Sequence, residues 1–212
     1  MEELSLIPQY LAADPKAILA LILGYFFGSI PFGLIITKTF LGFDVREQGS
    51  GNIGMTNVMR TAGKLPGIAT FLLDFSKGLL AVMIAHVALR QPDAILAAVA
   101  FCAVFGHTRS MFLKFTGGKG VATHFGVWAW LDWRVFVITA GAWALFFAWK
   151  KISSLSALVS LLILPLVTWQ LHGNQAEFAI SLLLAFYIIV LHRSNIQRLL
   201  QGEEGKLTSK DT

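Results

Sequence analysis

The sequence has 212 residues, of which 56% are hydrophobic and 14% are charged. These proportions exclude an ordinary soluble domain, because soluble domains average about 25% charged residues, and they are typical of a protein that crosses the membrane several times. The formal net charge of +5 suits nucleic acid, anionic lipid or an anionic substrate. The distribution of the charge along the chain must show which of these three partners it favours. The single cysteine, Cys102, excludes an internal disulfide and lies in an apolar stretch.

Apolar stretches predict the membrane-spanning helices, because a hydrocarbon core about 30 Å thick needs about 20 apolar residues in helical conformation. Stretches of this kind lie at 17–37, 67–89, 93–113, 133–149, 154–171 and 177–191. The shorter stretch 121–131 is counted as a seventh span, and half of a re-entrant hairpin with 133–149 is the alternative. We therefore expect an all-α integral membrane protein, a polytopic helical bundle of about seven transmembrane helices. Residues 1–204 would form its single domain and residues 205–212 a disordered polar tail.

Basic residues predict the orientation of this bundle, because cytoplasmic loops carry an excess of Lys and Arg. One set of loops carries Lys16, Arg90 and Arg134. The opposite set of loops and ends is far richer and carries Lys38, Arg46, Arg60, Lys64, Lys114, Lys119, Lys150, Lys151, Arg193, Arg198, Lys206 and Lys210. The N-terminus is therefore expected outside and the C-terminus in the cytoplasm.

Tryptophan and glycine positions predict how the helices lie and pack. The outer boundary is expected to be anchored by Trp128, Trp130, Trp133 and Trp169. Trp149 is expected at the inner boundary. Gly24 and Gly28 form a small-xxx-small pair, which favours close packing against a neighbouring helix.

Four polar segments fall on the predicted cytoplasmic side, at residues 43–60, 106–123, 150–156 and 192–204. Loops that are far apart in sequence can meet at one end of a helical bundle. A single site at the inner membrane surface explains all four segments.

Two of these segments contain glycine loops. The loop GSGNIGMTN at 49–57 has G-x-G-x-x-G spacing, but it follows a membrane span and not a strand, so it does not indicate a dinucleotide fold. The loop GGKG at 117–120 lacks the first glycine and the Ser/Thr of a Walker A motif. Both loops favour a generic anion cradle, in which glycine brings backbone N–H groups close to phosphate oxygens. Ordinary tight turns between helices are the alternative.

Fixed cations accompany the two glycine loops and favour a phosphate-bearing ligand. They are Arg46, Arg60, Lys119 and Arg193. Arginine can bind phosphate through two parallel hydrogen bonds, and lysine supplies a compact positive charge. A role in membrane topology or in binding lipid headgroups is the alternative for each. Asp74 and Lys77 are expected to pair within their span, because an isolated charge at that depth is costly.

Further polar side chains lie where helices are expected to end on the same side. His107 could orient a loop or contact a substrate, and Ser154 could donate a hydrogen bond. His192 and Asn195 lie one helical turn apart, so they can face one site.

Several sequence patterns that would indicate other functions are missing from the chain. No His, Cys or carboxylate spacing indicates a metal site, so neither a metal nor another cofactor is expected. No basic patch with interleaved aromatic residues indicates nucleic acid. None of the five histidines has an aspartate five residues later, so the H-x-x-x-x-D motif of the common glycerolipid acyltransferases is missing.

Seven motifs follow one another along the chain: GSIPFG at 28–33, GSGNIGMTN at 49–57, LDFSKG at 73–78, GH at 106–107, KFTGGKGVAT at 114–123, SLS at 154–156 and HRSNIQRLLQGEE at 192–204. This succession, from about residue 20 to residue 204, resembles the bacterial membrane acyl-phosphate:glycerol-3-phosphate acyltransferases, the PlsY family. The resemblance implies a multi-pass inner-membrane enzyme with its active site at the cytoplasmic face. The implied reaction, the first acylation of phospholipid synthesis, joins an acyl phosphate to glycerol-3-phosphate and gives lysophosphatidic acid and inorganic phosphate.

Transferred residue by residue, the resemblance assigns the loop 50–57 and Arg60, Lys119, Ser154, His192 and Asn195 to the substrate site. The expected catalytic residues are Lys119, Ser154, His192 and Asn195. With the residues singled out above, the expected substrate-binding residues are Arg46, Ser50, Gly51, Asn52, Gly54, Thr56, Asn57, Arg60, His107, Gly117, Gly118 and Arg193. Met55 stands where alanine is usual in the family. Expected partners are the two substrates, membrane lipids and, as a candidate, the enzyme that produces the acyl phosphate.

We expect direct attack of the 1-hydroxyl of glycerol-3-phosphate on the donor carbonyl, because an acyl phosphate is already an activated anhydride. Alignment of the two anions and stabilisation of the developing charge would supply most of the catalysis. Two bases are candidates: His192, whose ordinary pKa of about 6.5 suits neutral pH, and a phosphate oxygen of the substrate. The second is slightly favoured, because no carboxylate is evident to orient the histidine. An organic-phosphate transporter is the alternative function, and a noncatalytic scaffold that binds lipid headgroups is the third.

Overall fold

The computed structural model describes residues 2–173 and 175–207, which contain helices and loops and no β-strand beyond one isolated bridge between Ser110 and Thr116. The helices, in chain order, are α1 Glu2–Ser5, α2 Ile7–Ala13, α3 Pro15–Ser29, α4 Phe32–Ile35, α5 Met55–Ala62, α6 Lys64–Met83, α7 Asp93–Thr108, α8 Val121–Leu131, α9 Trp133–Lys150, α10 Ser153–His172, α11 Ala176–Leu191 and α12 Arg193–Gln201. Helices α4 and α6 each continue as a π-helix, over Ile36–Phe40 and Ile84–Ala88. The prediction of an all-α protein is confirmed.

Three helical segments of the described chain are long and apolar enough to cross a membrane: Pro15–Phe40, Lys64–Ala88 and Ser153–His172. Helices α11 and α12, which meet at an angle of 60°, qualify together as a fourth. The apolar helix α7 is shorter, and α8 has 11 residues, which at about 1.5 Å per residue falls well short of the membrane thickness. Several apolar spans are thus confirmed, while the count of seven and the orientation of the termini stay predictions.

The first span is interrupted where the sequence predicts one continuous stretch at 17–37. Helix α3 ends at Ser29, Ile30 is extended, and α4 begins after Pro31. Proline has no N–H to continue the helical ladder, and it disfavours helical conformation in the residue before it. The carbonyl of Ile30 accepts the N–H of Phe32 at 3.2 Å and, because the helix is broken here, it can also accept a hydrogen bond from elsewhere in the bundle.

Glycines allow α3 and α7 to pack closely, as the pair Gly24 and Gly28 predicts. A Cβ on Gly28 would overlap the carbonyl oxygen of Ala103, and one on Gly24 would lie 3.0 Å from Cγ1 of Val99. Helix α7 contributes Gly106, whose Cβ would overlap the carbonyl oxygen of Tyr25. This contact fixes the end of α7, and therefore His107, relative to the first span.

Helix α8 packs against α6 in the same way and is buried among its neighbours. A Cβ on Gly126 would overlap the carbonyl oxygen of Phe75. Trp128 is fully buried, with 0% exposure, so the prediction that it anchors the outer boundary is wrong. The reason is that α8 is apolar apart from Thr123 and His124, which are themselves buried, so its composition could not indicate which face meets the core. Trp133, Trp149 and Trp169 are exposed, as membrane anchors would be.

The predicted tail begins in packed structure. Leu207 is buried, with 7% exposure, and its N–H donates to the carbonyl of Lys151 at 2.8 Å. Residues 208–212, the rest of the predicted tail, lie outside the described residues.

Candidate active site

A cleft with about 890 Å³ of empty space, part of it open to solvent, lies where the four predicted polar segments meet. Its lining includes, from the predicted residues, Ser50, Asn52, Gly54, Thr56, Asn57, Arg60, His107, Lys119, Ser154, His192 and Asn195. Loops separated by more than a hundred residues therefore contribute to one site. The structure brings these side chains together, and the roles assigned to them stay predictions.

Five of the predicted binding residues do not line the cleft: Arg46, Gly51, Gly117, Gly118 and Arg193. Nη2 of Arg46 lies 2.6 Å from Oδ2 of Asp44, and this hydrogen bond lowers the pKa of Asp44 to about 2. The charge of Arg46 is therefore neutralised locally. Arg193 is exposed at the start of α12, on the side of the helix away from the buried Asn195.

The glycine loop is organised from within by the buried side chain of Asn57. Its Oδ1 accepts a hydrogen bond from the N–H of Ser50 at 2.8 Å. Its Nδ2 donates to the carbonyls of Val45, Gln48 and Asn52 at 2.9 to 3.2 Å. The hydrogen-bonding capacity of Asn57 is thus used to hold the loop in shape, which makes it a scaffold for the site.

Two of the backbone donors that stay open in this region belong to the first turn of α5. The N–H of Gly54 is already bonded to Oδ1 of Asn52 at 2.8 Å. The N–H groups of Met55 and Thr56 have no partner among the described residues, and α5 has no side-chain cap. Free N–H groups and the positive end of the helix dipole favour an anion at this position.

A hydrogen-bonded network links Lys119 to the end of the chain. Nζ of Lys119 donates to Oδ1 of Asn195, and Nδ2 of Asn195 donates to Oε1 of Glu204 at 2.6 Å. Burial lowers the pKa of Lys119 to about 8, and the nearby Arg198 and Arg60 lower it as well, while Glu204 opposes the shift. At neutral pH Lys119 is therefore mostly charged, but it loses its proton far more easily than an exposed lysine.

Glu204 and Arg198 line the cleft although the sequence did not single them out. Ser154 Oγ donates to Oε1 of Glu204 at 2.6 Å, and Nε of Arg198 donates to Oε2 at 2.7 Å. Burial raises the pKa of Glu204, but the hydrogen bonds from Ser154, Asn195 and Arg198 outweigh it and hold the pKa below its usual value. Both residues lie within the motif 192–204, and Arg198 follows Asn195 at helical spacing, which is the signal that could have found it.

His192 sits at the bend between α11 and α12, where its ring is fixed by the backbone. Nδ1 lies 2.8 Å from the carbonyl oxygen of Ile188. A carbonyl can only accept, so Nδ1 must carry the proton, and Nε2 is left as the acceptor nitrogen of the neutral ring. The orienting group is thus a carbonyl and not a carboxylate.

Buried polar and charged side chains at the wall of the cleft, among them Asp74 and His107, support the second glycine loop. Asp74 and Lys77 pair at 2.8 Å, as predicted, and Nζ of Lys77 also donates to the carbonyl of Ile30 at 2.9 Å. Nδ1 of His107 lies 3.6 Å from Oδ1 of Asp74. The carbonyl of His107 accepts the N–H of Gly118 at 3.1 Å, and a Cβ on Gly118 would overlap the His107 ring. His107 therefore supports the loop that carries Lys119.

The opposite end of the cleft is apolar. Phe71, Phe125 and Trp143 line both the cleft and an adjoining, partly open apolar cavity with about 550 Å³ of empty space. Met55 also belongs to both linings, with Phe136 and Ala140 completing the cavity. The site thus joins a cationic, donor-rich end to an apolar end. The described residues contain no group of three His, Cys, Asp or Glu side chains that could hold a metal.

The fold and the site together define a polytopic helical membrane protein with a cleft that is rich in cations and hydrogen-bond donors and adjoins an apolar cavity. A family model described as glycerol-3-phosphate acyltransferase matches residues 18–202. The chain therefore belongs to the glycerol-3-phosphate acyltransferase family, the PlsY family of integral membrane enzymes of phospholipid biosynthesis.

Individual relatives and solved structures agree with this family. A glycerol-3-phosphate acyltransferase of Brucella canis is 45% identical over 192 residues, which are 90% of this chain and 93% of that protein. One from Dinoroseobacter shibae is 42% identical over 210 residues, or 99% of each chain. The crystal structure of PlsY (YgiH), an integral membrane glycerol 3-phosphate acyltransferase, in its glycerol 3-phosphate form has a TM-score of 0.87 at 34% identity, with 92% of this chain and 98% of that chain covered. The lysophosphatidic acid form of the same protein has a TM-score of 0.84, with 92% and 97% covered.

Proposed function

We propose that this acyltransferase moves a fatty acyl group from an acyl phosphate to the 1-hydroxyl of glycerol-3-phosphate, giving lysophosphatidic acid and inorganic phosphate. The proposal rests on one observation: the same cleft has a cationic end and an apolar end. A phosphorylated headgroup and an acyl chain need these two environments side by side. Structures of the related PlsY with glycerol 3-phosphate and with lysophosphatidic acid support the same pair of ligands here.

The cationic end would hold the phosphate groups of the two substrates. The open N–H groups of α5 and the side chains of Arg60 and Lys119 supply positive potential and donors there. Ser154 and Asn195 would add neutral hydrogen bonds. The acyl chain would extend past Met55 into the apolar cavity.

The chemistry follows as a direct transfer. The 1-oxygen of glycerol-3-phosphate forms a bond to the acyl carbonyl carbon, and the bond from that carbon to the phosphate oxygen breaks. Lys119 and the surrounding donors would stabilise the charge that builds on the carbonyl oxygen and the departing phosphate. Because the leaving group is already activated, no covalent intermediate with the protein is required.

The hydroxyl proton has two possible acceptors. Nε2 of His192 has the acceptor lone pair, but its only polar support is the contact of Nδ1 with a backbone carbonyl, which makes the ring a weaker base than one oriented by a carboxylate. A phosphate oxygen of glycerol-3-phosphate is brought into the cleft with the hydroxyl that it would deprotonate. We therefore assign the proton to the substrate phosphate and a binding role to His192.

The reaction would take place at the cytoplasmic face of the bacterial inner membrane. The excess of basic residues in the loops that form the cleft supports this orientation. An enzyme that produces the acyl phosphate would deliver the donor at the same face.

Release of inorganic phosphate from palmitoyl phosphate, measured with purified protein in detergent, tests the proposal. Release should require glycerol-3-phosphate and match the lysophosphatidic acid formed, and palmitoyl-CoA should not replace the acyl phosphate. Lys119→Ala should lower kcat/KM by about 10²- to 10³-fold, because a group that neutralises developing charge is lost. Lys114→Ala is the matched control, since Lys114 is an exposed lysine of the same loop outside the cleft.

Folded protein that forms no product with either donor would overturn the proposal. Uptake of labelled glycerol-3-phosphate into proteoliposomes would then identify an organic-phosphate transporter. Binding of anionic lipid without turnover or uptake would identify a scaffold.

A further inference from the structure

Residues 203–207, which we name the C-terminal strap, run back along the cleft after α12. The N–H of Glu203 donates to the carbonyl of Arg198 at 2.8 Å. At the other end, the N–H of Leu207 donates to the carbonyl of Lys151, also at 2.8 Å, and the side chain of Leu207 is buried. The strap is thus fastened at both ends, and its middle faces the cleft.

The middle of the strap accepts hydrogen bonds from side chains that are expected to hold substrate. The carboxylate of Glu204 accepts hydrogen bonds from Ser154, Asn195 and Arg198 at 2.6 to 2.7 Å. The next carbonyl, that of Gly205, accepts from Nη2 of Arg60 at 2.7 Å.

Lys119 joins the same arrangement through the amide of Asn195. Ser154, Asn195, Arg60 and Lys119 are therefore all engaged, directly or through one side chain, by atoms of the strap. No other carboxylate in the described chain is surrounded by this set of donors.

A carboxylate in this position has the contacts of a bound phosphate oxygen. It accepts three hydrogen bonds from side chains, one of them from a guanidinium, and lies near the partly buried ammonium group of Lys119. A phosphate that bound to the same donors would bring up to two negative charges close to this carboxylate at neutral pH. Two anions compete for one set of donors in such a site, since like charges at short range repel strongly in a poorly solvated cleft.

We propose that Glu204 is a built-in phosphate mimic, which occupies the phosphate site of the free enzyme and is displaced with the strap when a substrate phosphate binds. The proposal rests on the proposed function, because it needs phosphate to bind at these donors. In the free enzyme Glu204 serves as the counter-ion of Lys119 and Arg198 in the cleft. On binding, the strap gives up its contacts, so part of the binding energy of the phosphate is spent in releasing it.

Affinity for glycerol-3-phosphate and for inorganic phosphate, measured by titration calorimetry in detergent, is the first test. Glu204→Gln keeps the shape of the side chain and removes its charge, so both ligands should bind at least about fivefold more tightly. Glu203→Gln is the matched control: it removes one charge from the neighbouring exposed residue and should leave both affinities unchanged. Unchanged or weaker binding by a folded Glu204→Gln protein overturns the proposal.

Cysteine labelling provides a second test that leaves Glu204 in place. In a Cys102→Ser background, Leu207→Cys should react faster with a maleimide when glycerol-3-phosphate or inorganic phosphate is added, because the strap is released. Lys206→Cys, at an exposed position of the strap, should react at the same rate with and without ligand. A Leu207→Cys rate that stays constant or falls on ligand addition overturns the proposal. This test remains valid if the Glu204→Gln protein does not fold.

Product formation by the unaltered protein separates the two levels of inference. If it forms lysophosphatidic acid while the affinity and labelling tests fail, the mimic is excluded and the proposed reaction stands. If it neither binds glycerol-3-phosphate nor forms product, the proposed function fails and the mimic fails with it.

Discussion

Single side chains of the cleft carry charges that set how the site should respond to pH. Burial lowers the pKa of Lys119 to about 8, so the free enzyme loses this positive charge as the pH rises through that value. Attraction for a phosphate dianion is then lost, and kcat/KM for glycerol-3-phosphate should fall above about pH 8. Lys119→Arg should move this fall beyond pH 10 even if its maximal rate is lower, since arginine stays protonated.

The measurement for Lys119 is kcat/KM from pH 6 to 10 in buffers of constant ionic strength. An unchanged fall near pH 8 in Lys119→Arg would assign that ionisation to another group. Lys114→Arg serves as the control, because its profile should match that of the unaltered protein.

His192 allows a test of which group takes the proton. His192→Gln keeps a polar atom near the position of Nε2 but cannot act as a base. If the substrate phosphate is the base, KM for glycerol-3-phosphate should rise about tenfold while kcat falls less than about threefold. A loss of kcat of about 10²-fold or more would instead assign the proton to His192.

At the residue scale, the sequence predicted which side chains meet better than it predicted what each one does. Lys119, His192 and Asn195 converge as expected from their motifs. Asn57 was expected to bind substrate, yet its amide holds the glycine loop in shape. Which partner satisfies a buried amide depends on tertiary contacts, and the residue type alone does not contain that information.

Helix and loop packing makes the position of Lys119 depend on a neighbouring glycine. A Cβ on Gly118 would overlap the His107 ring, so Gly118→Ala should push the loop away from its support on α7. A displacement of about 1 Å at a charged group can cost about 10²-fold in rate, and kcat/KM should fall by that order. Gly141→Ala in α9 is the matched control, since a Cβ there meets open space and activity should not change.

Circular dichroism and thermal unfolding in detergent would show that the Gly118→Ala protein is folded. Full activity in a folded variant would show that the loop can shift without moving Lys119, and that the contact with His107 does not fix the position of this lysine.

At the element scale, small residues indicate where helices pack closely and proline indicates where a helix breaks. A uniformly apolar stretch does not indicate which face of its helix is buried. The spacing of Gly24 and Gly28 predicted the close contact of α3 with α7. Pro31 marks the break in the first span, whereas the apolar stretch 17–37 predicts one continuous helix across it. For α8 the sequence predicted the extent of the helix but misplaced Trp128, because the helix is apolar apart from Thr123 and His124, and these two side chains do not mark an exposed face.

The orientation of the whole molecule can be tested by labelling single cysteines from one side of the membrane. In a Cys102→Ser background, Arg90→Cys should react with a membrane-impermeant maleimide in intact cells, because it lies in a predicted outer loop. Lys206→Cys should react only after the membrane is permeabilised. The reverse pattern would place the cleft outside and exclude an intracellular substrate.

At the scale of the molecule, the loops of one face were expected to form one site, and the structure assembles them into one cleft. That inference needed only the order of the spans and the positions of the polar segments. The same reasoning did not predict that the strap belongs to the site, because a polar sequence near a terminus predicts disorder. Its order depends on Leu207 and Glu204, whose burial and hydrogen bonds come from distant helices.

Met55 belongs to the wall of the polar cleft and to the wall of the apolar cavity. A molecule bound across this residue would have its charged end among cations and its chain among aromatic rings, with no stretch of water between them. In the proposed reaction the lipid product could then slide sideways into the surrounding bilayer without its chain ever entering the aqueous phase. Turnover in a membrane should therefore proceed without any soluble carrier to remove the lipid that is made.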